Sequence, residues 1–273
     1  MFNARPGSVA VLLYHDISRD RTQAEALSNP DYTTPLPKLE YHLKWILNSG
    51  YHPLRLEEWI GVQRRGEKLP GNHLLLTFDG PHKGWFEYLL PVLERYAFPA
   101  TFFITAGWVG ADHPYPESED LSWEDINRLT KVQDGDGRQL FDLGCHSLTH
   151  SILEQGSEEG QKGYRQRLRE EIILPARVMR KHTDSPVLSF ALPKGRGRPN
   201  ELHPYFQQAG YQAVRWARLP GSINRMDKNL YDLQILYCDT LEQPQDKLVD
   251  ILTREASWFN KALARIKKRI KGR

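Results

Sequence analysis

The stretch from Leu74 to Ile104 constrains the fold of this chain more than any other part of the sequence. It opens with an apolar run, Leu74 to Phe78, and closes with another, Ala100 to Ile104, each with the length and composition of a buried strand. A helical pattern from Gly84 to Tyr96 lies between them. Two such strands, joined through a helix, run parallel. The stretch therefore predicts a βαβ unit with an acidic residue, Asp79, at the carboxyl end of its first strand.

The same alternation of apolar runs and helical patterns continues over most of the chain. The candidate strands are Val9 to Tyr14, Leu74 to Phe78, Ala100 to Thr105, Phe141 to Cys145, Val187 to Leu192, Ala213 to Ala217 and Leu233 to Cys238. The candidate helices are Leu36 to Asn48, Leu56 to Arg64, Gly84 to Tyr96, Trp123 to Thr130, Gln161 to Lys181 and Glu201 to Gln208. This order predicts an α/β protein whose parallel sheet is covered by helices and is either open or closed. Seven strands over roughly 240 residues favour a distorted (β/α)7 barrel of parallel strands ringed by helices.

The two ends of the chain differ in pattern. We expect residues 1–240 to form the barrel, and residues 241–273 to form a C-terminal amphipathic helix that packs on it or extends from it. From Asp246 to Ile270 apolar residues recur at helical spacing, and Lys261 to Arg273 contain seven Lys and Arg and no acid. Two interpretations stay open for this basic end: peripheral contact with an anionic membrane, or a solvated tail.

Composition argues against several other classes of protein. The net charge is only +3, which is too small to indicate a nucleic-acid partner. Cys145 and Cys238 provide neither a disulfide framework nor a Cys-x-x-Cys metal motif. No apolar stretch approaches the about 20 residues of a membrane span, and the first residues show no signal peptide. We therefore expect a cytoplasmic or membrane-peripheral protein, unless an export signal was trimmed.

The reactive residues fall at the ends of the predicted strands. His15 follows the first strand, Asp79 the second and His146 the fourth, and Pro193-Lys194-Gly195 follows the fifth. In a parallel barrel these positions share one rim, which is where such proteins place their chemistry. Residues far apart in sequence are thus predicted to converge on one site.

His146 and His150 have the spacing of a metal-binding pair. Four residues apart, the two rings can face one point if the chain turns helically after the strand, and a carboxylate would complete an open three-ligand site. Such a site lowers the pKa of a bound water molecule and polarises a carbonyl group. His15 could then protonate a leaving amine or alcohol. These residues indicate metal-assisted hydrolysis of an amide or an ester.

Three segments of the sequence match motifs of a known family. Thr77-Phe78-Asp79-Gly80 is similar to a TFDDG motif, and His146-Ser147-Leu148-Thr149-His150 matches a His-Ser/Thr-x-x-His motif in full. With these motifs the chain resembles, over residues 9–240, the polysaccharide deacetylases, the NodB-homology domain of carbohydrate esterase family 4. Leu12-Leu13-Tyr14-His15-Asp16 is similar to the poly-N-acetylglucosamine deacetylase branch, in which the elements are permuted and this early His is the general acid.

The resemblance implies an activity and a set of site residues. It implies a hydrolase that depends on a divalent metal ion, most often zinc, and removes N-acetyl groups from an amino-sugar polymer or glycoconjugate. The N-acetylated glycan would be its partner. The resemblance implies Asp79 and His15 as catalytic residues, and His146 and His150 as metal ligands.

The TFDDG motif is incomplete in this sequence. In the family its first Asp is the catalytic base and its second binds the metal, whereas here Gly80 follows a single Asp79. Either Asp79 keeps the base role and His146 and His150 hold the metal alone, or a shifted loop lets Asp79 bind the metal. Two protein ligands hold a divalent ion poorly, so both alternatives predict weakened catalysis. In a third alternative, His82 replaces the lost ligand. The other interpretation of His82 is an ordinary residue in a surface turn.

The third family motif also departs from its usual form. It is usually a Pro-aromatic-Gly, sometimes with an Arg two residues before the Pro, and here it reads Ala191-Leu192-Pro193-Lys194-Gly195. The Arg has become Ala191 and the aromatic residue has become Lys194. Together with Arg196, this favours an anionic glycan or a phosphate-bearing substrate. Pro193, Lys194 and Arg196 are therefore the candidate substrate-binding residues.

These departures leave two rival functions open. One is a degenerate homologue that binds a glycan without cleaving it or is only weakly active, which the missing Asp favours. The other is a metal-dependent amidase that acts on a small molecule, for which a closed pocket rather than an open groove would be expected.

Overall fold

The computed structural model describes residues 8–67, 69–110, 121–217, 224–225, 229–238 and 252. The strands in these residues are β1 (Ser8–Tyr14), β2 (Asp16–Ser18), β3 (Thr33–Pro35), β4 (Tyr51–Leu54), β5 (Asn72–Gly80), β6 (Ala100–Ile104), β7 (Phe141–Cys145), β8 (Ser189–Ala191), β9 (Ala213–Arg215), β10 (Asn224–Arg225) and β11 (Leu236–Tyr237). The α-helices are α1 (Arg21–Ala26), α2 (Leu36–Asn48), α3 (Leu56–Arg64), α4 (Leu90–Arg95), α5 (Trp123–Leu129), α6 (Gln161–Leu168), α7 (Leu174–His182) and α8 (Pro199–Ala209).

The main sheet curls into the predicted barrel. β1, β5, β6, β7, β8 and β9 lie side by side in that order, and each pair runs parallel. β11 pairs parallel with β1, and Leu233 forms a parallel bridge with Arg215 of β9, so the segment 233–237 connects the two edges of the sheet. The α/β barrel of parallel strands ringed by helices is therefore confirmed. The short strands β4 and β10, which pair with β5 and β1, were not predicted.

Two of the predicted helices contain a wider turn. The helix predicted from Gly84 opens with a π-type turn, Trp85–Leu89, before α4, and a second π-type turn, Arg169–Ile173, separates α6 from α7. In both places a proline, Pro91 or Pro175, occupies the first turn of the helix that follows. Proline lacks an N–H and clashes with the carbonyl four residues earlier, so the wider turn lets the chain continue without that hydrogen bond.

Alternate strand residues face two different cores, because side chains of a strand point to opposite sides. Val11 and Leu75 point into the barrel, where Trp59 and neighbouring apolar residues of α3 pack against them. Leu12 and Leu76 belong to the outer core, which includes the buried faces of the surrounding helices.

Helix α3 packs at the amino-terminal end of the barrel strands. The backbone N–H of Leu56 donates to Thr101 Oγ1 at 3.2 Å, and that of Glu57 donates to Asp142 Oδ2 at 2.8 Å. Thr101 and Asp142 are the second residues of β6 and β7. These contacts cover the amino-terminal end of the barrel.

The predicted C-terminal helix lies outside the described residues, apart from Leu252. The carbonyl of Leu252 accepts a hydrogen bond of 3.1 Å from the hydroxyl of Tyr51, which fixes this point against the barrel. Cys145 and Cys238 are both buried and are not joined in a disulfide, in agreement with their apolar sequence surroundings. Within the described residues, we find no helix with the length and hydropathy needed to span a membrane.

Candidate active site

A cleft of about 280 Å³ opens at the carboxyl ends of the strands. Residues that line it include His15, Asp79, His146, His150, Lys194 and Arg215. The structure thus brings together five residues that the sequence placed on one rim, from segments that lie far apart along the chain. It adds Arg215, which sequence reasoning missed.

Asp79 lies at the centre of this group. It sits near the end of β5, opposite Phe103 of β6, and only 3% of its surface is exposed. Its Oδ2 accepts a hydrogen bond from the guanidinium of Arg215 and lies 3.4 Å from Nε2 of His146. Burial alone would raise the pKa of Asp79, but the charge of Arg215 lowers it below its ordinary value. The carboxylate is therefore ionised.

The second oxygen of Asp79 has a different environment. Oδ1 is buried and has no hydrogen-bond partner among the described atoms. A buried carboxylate oxygen without a donor is costly, and it marks a position where a ligand or water can donate. Asp79 thus presents one anchored oxygen and one acceptor to the site.

Arg215 holds Asp79 from β9. Its Nη2 donates to the carboxylate, its Nη1 donates to Thr77 Oγ1 at 3.0 Å, and its guanidinium carbon lies 4.7 Å from the ring centre of Phe103. Sheet register places Arg215 directly beside Ala191 on β8. Arg215 is thus the neighbour, on the adjacent strand, of the position where the third motif sometimes has an Arg. The available sequence signal was a single Arg in an otherwise apolar strand, since such a residue needs a buried acidic partner.

His146 is oriented by the strand next to its own. Its Nδ1 lies 2.8 Å from the carbonyl oxygen of Ala191, so Nδ1 carries the proton and Nε2 faces Asp79. Burial lowers the pKa of His146, which keeps the imidazole neutral. A neutral imidazole whose other nitrogen donates to a carbonyl has the arrangement of a metal ligand.

His150 follows through a tight loop. Both Ser147 and His150 adopt left-handed backbone angles, with φ of 69° and 61°. The Ser147 hydroxyl accepts a hydrogen bond of 2.9 Å from the His150 N–H, which closes the loop and brings the two histidine rings to 4.8 Å. Burial, followed by the neighbouring His146, lowers the pKa of His150 to about 3, so this ring is also neutral.

Glu171 supports this loop from the outside. It belongs to the π-type turn before α7 and is only 4% exposed. One oxygen accepts from the N–H groups of Leu148 and Thr149 at 3.1 and 3.0 Å, and the other accepts from the Thr149 hydroxyl at 2.6 Å. A carboxylate with three donors fixes the loop that carries both histidines.

His15 lines the cleft directly after β1, whose last residue, Tyr14, pairs with Phe78 of β5, the residue before Asp79. Its ring meets the ring of Tyr32 edge to face at 4.9 Å, and its carbonyl accepts a hydrogen bond of 2.7 Å from the indole of Trp85. Tyr32 also lines the cleft and is 44% exposed. The structure therefore places an aromatic ring at the rim, although Lys194 has replaced the one expected in the third motif.

The three candidate substrate-binding residues occupy different positions. Lys194 lines the cleft, is exposed and has a left-handed backbone, with φ of 53°. Pro193 is buried beneath it and does not line the cleft. Arg196 is paired with Glu154 at 2.6 Å, and this reduces the positive charge that it offers to a substrate. Lys194 is thus the residue of the three that reaches the cleft.

The strand through Asp79 is regular. Gly80 remains in register with Ile104, and its carbonyl accepts from Thr105 N–H at 2.7 Å. The shifted loop considered for the incomplete motif is therefore not observed. His82, the other considered ligand, is buried, lines the cleft and packs edge to face on Trp85 with ring centres 5.7 Å apart. His82 is therefore not an ordinary exposed residue of a surface turn.

The family implies a divalent metal ion, and some of the donor atoms in the cleft suit such an ion. His146 and His150 are neutral imidazoles, and the lone pair of His146 Nε2 faces an ionised oxygen of Asp79, an arrangement that a cation would stabilise. Across the part of the chain that the structure describes, no group of three or more His, Cys, Asp or Glu is arranged to hold a metal ion. The donors thus fit an ion held by two histidines beside Asp79, without the second carboxylate of the TFDDG motif.

Comparisons with known proteins agree with the geometry. The putative polysaccharide deacetylase YxkH of Bacillus subtilis is 26% identical to this chain, over 54% of the chain and 56% of the relative. A poly-beta-1,6-N-acetyl-D-glucosamine N-deacetylase of Staphylococcus aureus is 22% identical, over 66% of the chain and 59% of the relative. The chain therefore spans less than two thirds of the length of these curated relatives.

The fold has a match among solved structures. A de-N-acetylase from Aggregatibacter actinomycetemcomitans superposes with a TM-score of 0.75 at 16% identity, and the match covers 89% of this chain and 99% of that one. The family model described as polysaccharide deacetylase matches residues 66–214, which is more than half of the chain. This chain belongs to the polysaccharide deacetylase family.

Proposed function

We propose that this protein removes N-acetyl groups from an amino-sugar polymer or glycoconjugate, with the help of a divalent metal ion. The observation that carries the proposal is the position of Asp79 in the cleft. Its Oδ2 is anchored by Arg215 beside His146, while its Oδ1 is a buried acceptor without a partner. A carboxylate held in this way can take a proton from an attacking water molecule.

His146 and His150 would hold the metal ion. Both rings are neutral, and His146 is fixed through its Nδ1 by the carbonyl of Ala191. When bound, such an ion polarises the acetyl carbonyl and lowers the pKa of water. Zinc suits imidazole nitrogen ligands.

The reaction needs two proton movements, and the cleft has a residue for each. Asp79 removes a proton from the water molecule as its oxygen attacks the acetyl carbon. The bond between that carbon and the sugar nitrogen then breaks, and His15, which also lines the cleft, gives a proton to the departing amine. The products are acetate and a free amino sugar. Lys194 and Tyr32 at the rim would contact the neighbouring parts of the glycan.

Zinc content and acetate release test this proposal together. Protein exposed to zinc and freed of the excess should retain about one ion per chain, and should release acetate from oligomers of N-acetylglucosamine. His146→Ala should lose both the ion and the activity. His52→Ala, which changes an exposed histidine of β4, is the matched control and should keep both. Turnover that persists in His146→Ala would contradict the proposed mechanism.

A glycan-binding protein that does not cleave is the second candidate, and Gly80 favours it. Position 80 lacks the carboxylate that binds the metal in the TFDDG motif, and two histidines alone hold a divalent ion poorly. Absence of zinc from the purified protein, with no acetate release but saturable binding of the same oligomers by calorimetry, would move the assignment to this candidate.

A further inference from the structure

Trp85 links the backbone of His15 to the strand that carries Asp79. Its indole is fully buried, and its Nε1 donates a hydrogen bond of 2.7 Å to the carbonyl oxygen of His15. The ring packs against Phe102 at 4.9 Å and against Phe78 at 6.5 Å, between ring centres. A buried aromatic ring with a satisfied N–H and packed faces has little freedom to move.

The same indole closes the space beside Gly80. A β-carbon placed on Gly80 would lie 2.6 and 2.8 Å from two carbons of the Trp85 ring, and 2.7 Å from a carbon of the His82 ring. These separations are shorter than any ordinary contact between carbon atoms. A side chain at position 80 therefore requires Trp85 to shift, and a shift of Trp85 stretches its hydrogen bond to His15.

The turn after Gly80 is also closely packed. A β-carbon on Gly84 would collide with the carbonyl of Ile17 and the carboxylate of Asp16. The turn thus lies directly against β2, the strand that follows His15. His15, Trp85 and Gly80 consequently form one packed unit, and a change at any of them is transmitted to the others.

We propose that Trp85 is a positioning residue for His15, and that the packing around Trp85 leaves room for only one carboxylate at the end of β5, that of Asp79. The inference rests on the proposed function, in which His15 donates the proton to the leaving amine. Position 80, where the family motif has its second Asp, cannot be restored without loss of the His15 position. Gly80 is therefore required by the packing of this chain.

Three variants test the link between Trp85 and His15. Trp85→Phe removes the indole N–H, while Gly80→Ala and Gly80→Asp add a side chain against the indole. Each should lower kcat by roughly 10-fold to 100-fold, the range expected for a misplacement of about 1 Å, with little change in KM. Trp123→Phe is the control, because Trp123 stacks on His182 outside the cleft and should leave kcat unchanged.

Two further measurements do not depend on activity. The ring signals of His15 in NMR spectra should shift in Trp85→Phe and in Gly80→Ala, but stay in place in Trp123→Phe. Zinc titration of Gly80→Asp should show no gain in affinity over the natural chain.

The outcomes separate this inference from the proposed function. If the natural chain releases no acetate, the proposed function fails. The His15 signals then still test the role of Trp85, and the zinc titration still tests whether position 80 can take a second carboxylate. Unmoved His15 signals in Trp85→Phe would overturn the positioning role. A Gly80→Asp protein that folds, binds zinc more tightly and keeps or gains activity would overturn the inference that the site has room for only one carboxylate. Should either Gly80 variant fail to fold, Trp85→Phe alone decides the positioning role.

Discussion

Asp79 and Arg215 form an ion pair across the barrel, and each side chain is only 4% exposed. Asp79 is on β5 and Arg215 is on β9, which pair with different strands. Placing two charges in such an environment is costly, and the cost is offset only when the geometry is good and further hydrogen bonds are present. Thr77 provides one of these on the arginine side, and His146 lies next to the carboxylate.

Replacing Arg215 with Met should leave Asp79 as an isolated buried charge. We expect the free energy of unfolding to fall by about 3 to 5 kcal/mol, and activity to be lost, because the carboxylate would lose its anchor. Chemical denaturation at neutral pH measures the first effect and acetate release measures the second.

The double variant Asp79→Asn with Arg215→Met is the control for this prediction. Because it removes both charges, its loss of stability should be smaller than the sum of the two single losses. Additive losses would show that the two side chains do not stabilise each other.

The barrel and most of the rim could be predicted from sequence because they depend on local patterns. Short apolar runs separated by helical patterns indicated the parallel strands, and His15, Asp79 and His146 were placed on the rim by their position after those runs. Arg215 could not be placed in this way. Its role depends on the register between β8 and β9, which sets it beside Ala191, and on a partner on a distant strand.

The two π-type turns were also missed, since a helical pattern does not distinguish one wide turn from ordinary α-helical turns. One of these turns directs Glu171 at the histidine loop, and the other carries Trp85. Both residues therefore support the site through local geometry that the sequence pattern does not reveal. The proposed role of the basic C-terminal end in membrane contact stays a prediction.

Replacing Glu171 with Gln should loosen the loop that carries His146 and His150. The amide keeps one acceptor oxygen, but its NH2 group cannot accept from the donors that face the other oxygen. We expect zinc affinity to fall by about 10-fold to 100-fold, as for other residues that support metal ligands. Competition with a zinc chelator measures this.

Glu170 offers the matched control for the Glu171 experiment. It is exposed and accepts a hydrogen bond from Gln166 on the surface of the same helix. Glu170→Gln should bind zinc as the natural chain does. Equal losses in the two variants would argue against a specific role for Glu171.

Replacing Tyr32 with Ala should weaken substrate binding more than it slows the chemical step. The exposed Tyr32 ring lies beside His15 at the rim, where it can stack on a sugar ring. We expect KM to rise by roughly 10-fold, with a smaller change in kcat. Tyr32→Phe keeps the ring and should stay close to the natural KM. A kcat effect that exceeds the KM effect would place Tyr32 in the chemistry instead.

Asp142 and Glu57 should make the stability of the fold depend on pH. They lie at the amino end of the barrel, where Asp142 accepts from the N–H of Glu57. Burial raises the pKa of Asp142 to about 6, and burial together with the charge of Asp142 raises the pKa of Glu57 to about 7. A raised pKa means that the folded state favours the protonated form. The stabilisation is therefore complete at low pH and is lost as the pH rises through these values.

The natural chain should thus lose more thermal stability than Asp142→Asn as the pH rises from about 4 to about 7. The asparagine cannot ionise, yet its carbonyl oxygen can still accept from the N–H of Glu57. We expect the drop in Tm over this range to be smaller in the variant by on the order of 5 °C. Thermal melts of both proteins across the range measure this difference. Parallel Tm profiles would show that the Asp142 carboxyl group does not titrate within the range, since other titrating groups are common to both proteins.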